Sequence, residues 1–172
     1  MLARIFVPLL LSASSAMAAA HPFAPYFGVW TGTGMAGDIE SNLTVTFKPM
    51  GQMLSGNFNA RPKRPGKSHS GIFRGTPQQD GCFMVNVKVM GQPQAFDANA
   101  CVQQDGSVAV QSAMPGLASG TITPQDDFKR CTFQFNSLMG QASGALVKKG
   151  GAASKKAKGK KKRRAKRPVS AE

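Results

Sequence analysis

The sequence predicts an all-β protein, an antiparallel meander of about eight to ten short strands closed into an up-and-down barrel or folded as a sandwich. Three observations carry that expectation. Short apolar runs recur along residues 21–147, each bounded by Gly, Pro, Asn or Asp. Several alternate with period two, as in Leu43, Val45 and Phe47 or Phe83, Val85 and Val87. Such alternation marks strands with one face on a core. No stretch of the body sustains a helical apolar period with caps at its ends.

Taken in order, the strand signals fall at 26–34 (YFGVWTGTG), 42–49 (NLTVTFKP), 52–59 (QMLSGNFN), 70–75 (SGIFRG) and 82–89 (CFMVNVKV). The series continues at 95–102 (AFDANACV), 107–113 (SVAVQSA), 118–124 (ASGTITP), 131–137 (CTFQFNS) and 140–147 (GQASGALV). Between them stand turn formers such as Gly91-Gln92 and Asp105-Gly106, in which Gly accepts positive φ and Asp bonds the backbone. Closely spaced strands with short connections favour antiparallel neighbours.

Residues 1–20 follow a different plan, that of a secretory signal. Arg4 supplies the positive start, Ile5 to Leu11 the apolar run, and Ala16-Met17-Ala18 or Ala18-Ala19-Ala20 an A-x-A cleavage pattern. The run is shorter than the roughly 20 residues that span a bilayer. The expectation is an exported protein, periplasmic or extracellular, with a bacterial periplasm preferred. In such an oxidising compartment, three cysteines give one disulfide and one thiol. A two-residue turn at Gly91-Gln92 places Cys82 opposite Cys101, within about 4.5–5.5 Å between Cβ atoms. Cys131 paired with either of them across the closing sheet is the alternative.

Gly28-Val29-Trp30, in the first strand signal, resembles the G-x-W signature that opens lipocalins and avidin-like proteins. The resemblance implies a calycin-like barrel in which Trp30 anchors the core at the closed end. Such a barrel holds one small apolar molecule or is filled by its own side chains. Two features depart from the pattern. No helical signal follows the last strand, and Trp30 and Tyr26 are the only Trp and Tyr, so the aromatic pocket of biotin binders is missing.

Net charge is +14, and it is unevenly placed. Residues 21–147 hold nine Lys and Arg against seven Asp and Glu, whereas 148–172 hold twelve against one. Within the latter, Lys155, Lys156, Lys158, Lys160, Lys161, Lys162, Arg163, Arg164, Lys166 and Arg167 sit among Ala, Gly and Ser. Without large apolar residues such a segment cannot offset its ordering entropy, so a disordered polybasic arm is expected. Its partners would be anionic envelope lipids or polymers, with phosphate-mediated nucleic-acid binding as an alternative. No aromatic residue in the arm offers a stacking surface for bases. A second basic cluster, Arg61, Lys63, Arg64 and Lys67, lies in the Pro- and Gly-broken loop 60–69 and could assist the arm.

Catalytic chemistry finds little material. There is no G-x-S-x-G, H-E-x-x-H or phosphate-binding glycine loop. Most acidic residues stand in turns, and histidines number two. A non-enzyme is expected, without a cofactor. One metal reading remains. Signal cleavage after Ala20 exposes His21 as an amino terminus, and cleavage after Ala18 leaves Ala-Ala-His, which resembles the amino-terminal copper-binding motif. His69 would add a second imidazole.

Overall fold

The computed structural model describes residues 20–150, apart from 80, 115 and 139. Residues 1–19 of the expected signal segment and the ten cations from Lys155 to Arg167 therefore lie outside the described residues.

Ten strands form one closed antiparallel barrel. They are β1 (Gly28–Ala36), β2 (Ile39–Met50), β3 (Met53–Pro62), β4 (His69–Pro77), β5 (Cys82–Val89), β6 (Ala95–Val102), β7 (Val108–Ser112), β8 (Ala118–Gln125), β9 (Arg130–Ser137) and β10 (Gly140–Lys148). Every strand pairs with its sequence neighbours, and β10 returns to pair with β1, with Trp30 opposite Lys148 and Ala36 opposite Ala142. Closure leaves no open sheet edge for another chain to extend. Among the described residues no helix is long and apolar enough to cross a membrane.

The period-two pattern becomes two surfaces. Inward positions carry Trp30, Val45, Leu54, Phe73, Phe83, Val85, Val108, Cys131 and Leu146, while the outward face pairs Thr44 with Asn59, Asn99 with Gln111, and Thr121 with Gln134. An apolar interior behind a polar wall is the reverse of a membrane-spanning barrel, whose wall faces lipid. Several Phe rings lie against interior glycines. A Cβ on Gly56 would meet Phe73 Cζ at 2.2 Å and the Thr46 carbonyl oxygen at 2.0 Å. The ring takes the space that a side chain would need, so Gly here is a packing requirement.

Residues before β1 seal one end. A single 3₁₀ turn, η1 (Ala24–Tyr26), forms around Pro25, with the Tyr26 and Phe27 N–H groups donating to the carbonyls of Phe23 and Ala24. Pro suits this position because it needs no N–H partner and its φ is fixed. The turn explains why β1 begins at Gly28 rather than at Tyr26: Tyr26 belongs to the plug. Gly28 makes the entry to the strand at φ +124°, a backbone region closed to most side chains.

Cys82 and Cys101 are paired residues of β5 and β6 and form a disulfide, their Cα atoms 4.2 Å apart. The register is the one the sequence predicts, but the connection is longer than two residues. The last ladder pair is Lys88 with Ala95, and Gly91 at φ +81° turns the chain inside the 90–94 loop. Symmetric lengthening about Gly91-Gln92 leaves the register unchanged. Cys131 is a free, buried thiol on β9.

Candidate functional site: the two ends of the barrel

The connections sort into two groups. Residue 20, η1 and the β2–β3, β4–β5, β6–β7 and β8–β9 connections share one end, together with the exit of β10. The β1–β2, β3–β4, β5–β6, β7–β8 and β9–β10 connections share the other.

At the first end, Phe23, Tyr26 and Trp30 are among the largest fully buried side chains. The Trp30 indole Nε1–H donates to the Tyr26 carbonyl at 2.7 Å, and the Tyr26 hydroxyl donates to the Gly106 carbonyl at 2.7 Å. Phe23 packs edge-on against Phe83 (5.1 Å between ring centres), and Phe128 packs edge-on against Tyr26 (5.3 Å). These buried polar groups thus have partners, as burial demands. Burial raises the Tyr26 hydroxyl pKa, with the charges of Cys131 and Asp105 adding to the effect. Burial likewise pushes the Cys131 thiol up to about 11. Asp105 accepts from both the Ser107 hydroxyl and the Ser107 N–H, which hold its carboxyl below the usual carboxylate range. These bonds fix the β6–β7 turn whose Gly106 carbonyl receives Tyr26.

Lys148 closes this end from the far terminus. Its Nζ donates to the Pro25 carbonyl at 2.7 Å and stands 5.5 Å from the centre of the Trp30 ring. The Lys149 N–H donates to the Val29 carbonyl. Both lysines therefore belong to the barrel wall, and a truncation that spares the barrel starts at residue 151.

His21 packs against the plug of the sealed end. Its ring lies against Phe27 and Phe83, at 4.9 and 5.2 Å between centres, and its Nδ1 accepts from the Phe23 N–H. Nδ1 is the nitrogen that a chelate through the amino terminus would use. The buried Nε2 has no partner. His69 begins β4 at the opposite end, so the two imidazoles are not brought together. Among the described residues no three His, Cys, Asp or Glu side chains gather as a metal-binding group.

The second end is built differently. Here inward-facing Phe58, Val87, Val110 and Phe133 are only partly buried, whereas most of the fully buried side chains lie toward the sealed end. Arg61 near the end of β3 and Lys63, Arg64 and Lys67 on the β3–β4 connection stand at this end, opposite the exit of β10. Lys63 pairs with Glu40, whereas no ion pair among the described residues holds Arg61, Arg64 or Lys67. An open groove of about 780 Å³ runs beside this loop, lined by Asn42, Arg61, Arg64 and Ser68 among others.

The sequence reading missed a set of apolar residues at the tips of the other connections of this end, including Ile39, Met90, Met114 and Leu138. The available signal was a large apolar residue directly beside a turn, as in Met90-Gly91, where a polar residue suits the turn better.

No protein-family model matches this chain, and no curated protein matches it.

Proposed function

We propose that the protein is an exported, non-enzymatic β-barrel held at an anionic surface of the cell envelope by its polybasic C-terminal segment. One observation carries this reading. Ten Lys and Arg with a single Glu follow Gly150, on a body 21–150 that holds eleven Lys and Arg against seven Asp and Glu. Cations near an anionic lipid surface contribute about 1 kcal/mol each, so such a segment suffices to retain a domain of this size. The Cys82–Cys101 disulfide fits an oxidising compartment. A calycin-like ancestry fits the closed antiparallel meander and the buried Trp30, although ten strands exceed the eight of lipocalins and streptavidin.

Deleting residues 151–172 tests the proposal. The intact protein should sediment with envelope fractions and be released by about 0.5 M salt, where the Debye length falls to a few ångströms. The truncated protein should stay in the supernatant. Equal retention of both would sink the reading. Retention by DNA alone, with a steep salt dependence, would favour the nucleic-acid alternative.

The barrel's apolar inward face, with Phe58 and Val87 only partly buried, favours a second reading, carriage of a small apolar ligand. That reading expects a neutral naphthylamine probe to bind with or without residues 151–172, and Val110→Trp to block it. Failure of the probe to bind intact protein would remove it.

A further inference from the structure

Ten large apolar side chains are exposed among the described residues, and their positions are not random. The four most exposed are Leu138 (79 %), Met114 (62 %), Met90 (61 %) and Ile39 (59 %). Each stands at a different connection: Ile39 opens β2 directly after the β1–β2 turn, Met90 lies in β5–β6, Met114 in β7–β8 and Leu138 in β9–β10. All four connections lie at the open end. Its fifth connection, β3–β4, carries the basic cluster instead. The sealed end shows the contrast: its connections present Gln78, Gln103, Asp105 and Asp126, and its exposed large apolar residues, Met50 and Val147 chief among them, stand at strand ends.

We propose that the open rim is a lipid-docking end, inserting Ile39, Met90, Met114 and Leu138 into the boundary between headgroups and acyl chains of an anionic bilayer. Two features select lipid as the occupant. The apolar tips are spread around the rim on separate connections, which suits a fluid surface that each can enter independently. Arg61, Arg64 and Lys67, outside any ion pair among the described residues, supply charge complementary to anionic headgroups on the same rim, and Arg61 and Arg64 line the open groove there. The polar wall behind the tips limits insertion to the rim, so the barrel docks without spanning. This inference rests on the reading of an anionic envelope surface and names that surface as lipid. Residues 151–172 number 22 and can reach back along the barrel, since an extended chain spans about 3.3 Å per residue.

Flotation of the intact protein with phosphatidylcholine vesicles containing phosphatidylglycerol is the test. The intact protein is compared with the quadruple variant Ile39→Ser/Met90→Ser/Met114→Ser/Leu138→Ser and with the chain lacking 151–172. Circular dichroism and melting confirm that each remains folded. At 0.5 M salt, where the arm is screened, the quadruple variant should partition roughly 30-fold more weakly than the intact protein. The truncated chain should keep apolar, salt-resistant binding, and Arg61→Gln/Arg64→Gln should lower its preference for anionic over neutral vesicles. Unchanged partitioning of the quadruple variant would overturn the rim proposal while leaving the arm's role standing. Full binding by the truncated chain with none by the quadruple variant would uphold the rim and remove the arm. A concentration-dependent dimer that the four substitutions dissolve, without vesicle binding, would overturn the proposal in favour of a second copy of this chain.

Discussion

The two ends of the barrel are made from the same strands, yet they solve opposite problems. At the sealed end, a 3₁₀ turn brings Phe23 and Tyr26 over Trp30, and every hydrogen-bonding group of Tyr26 and Trp30 named above has a backbone partner. At the open end, Phe58 and Val87 are only partly buried and apolar side chains at the turns stand out to water. Stability is therefore concentrated at one end, and the other is free to vary in chemistry without endangering closure. Functional surfaces commonly sit on connections held by a rigid scaffold.

The largest way to break this contrast is to remove the plug's anchor. Trp30→Ala should cost about 3–5 kcal/mol, enough to unfold a domain of ordinary stability, read as loss of the cooperative melt. Replacing both disulfide cysteines, Cys82→Ala with Cys101→Ala, should cost about 2–4 kcal/mol by relaxing the unfolded chain, with the same midpoint shift produced by reductant on the intact protein. Gly56→Ala should cost about 1–3 kcal/mol, because the added methyl has nowhere to go beside Phe73 and the Thr46 carbonyl. Tyr26→Phe leaves the Gly106 carbonyl without its donor and should cost about 1 kcal/mol in chemical denaturation. At the open rim the same scale should nearly vanish. Leu138→Ser and Met114→Ser should change stability by less than about 0.5 kcal/mol, as exposed substitutions do.

Two titrating groups of the sealed end respond to pH in opposite ways. Cys131 lies in the sealed layer with a thiol pKa raised from 9.0 to about 11. The folded state holds that proton where the unfolded thiol has lost it, so this contribution to stability is whole below pH 9 and declines as pH rises toward 11. Cys131→Ala should flatten that decline in midpoint-versus-pH curves. Asp105 has the opposite sign: its folded pKa lies below 3.8, so its contribution is present above that value and is lost as pH falls through the lower one. Asp105→Asn should remove this acid-side slope.

Much of the barrel was legible because its signals are local. Alternation in 82–89 and 95–102 and the symmetric placing of Gly91-Gln92 set the β5–β6 register and hence the disulfide. Pairing of β1 with β10 was not legible, since closure depends on the summed twist and stagger of all ten strands rather than on any one of them. The plug was misplaced for a related reason. Tyr26 reads as a strand residue by propensity, but Pro25 and the ring contacts to Phe128 and Phe47 draw it into η1. The basic loop was legible as an exposed loop, whereas its distance from the exit of β10 needed the topology. The apolar rim was invisible for the same reason: Ile39, Met90, Met114 and Leu138 are scattered in sequence and gather only when alternate hairpins point one way.

Hydrogen exchange of the intact protein, with and without vesicles containing phosphatidylglycerol, tests the division between the ends most directly. The account predicts added protection in segments 37–39, 63–68, 90–94, 113–118 and 138–140, with segments 20–30 and 103–107 unchanged and already slow to exchange. Added protection confined to 20–30 and 103–107, with none at the five rim segments, would contradict it.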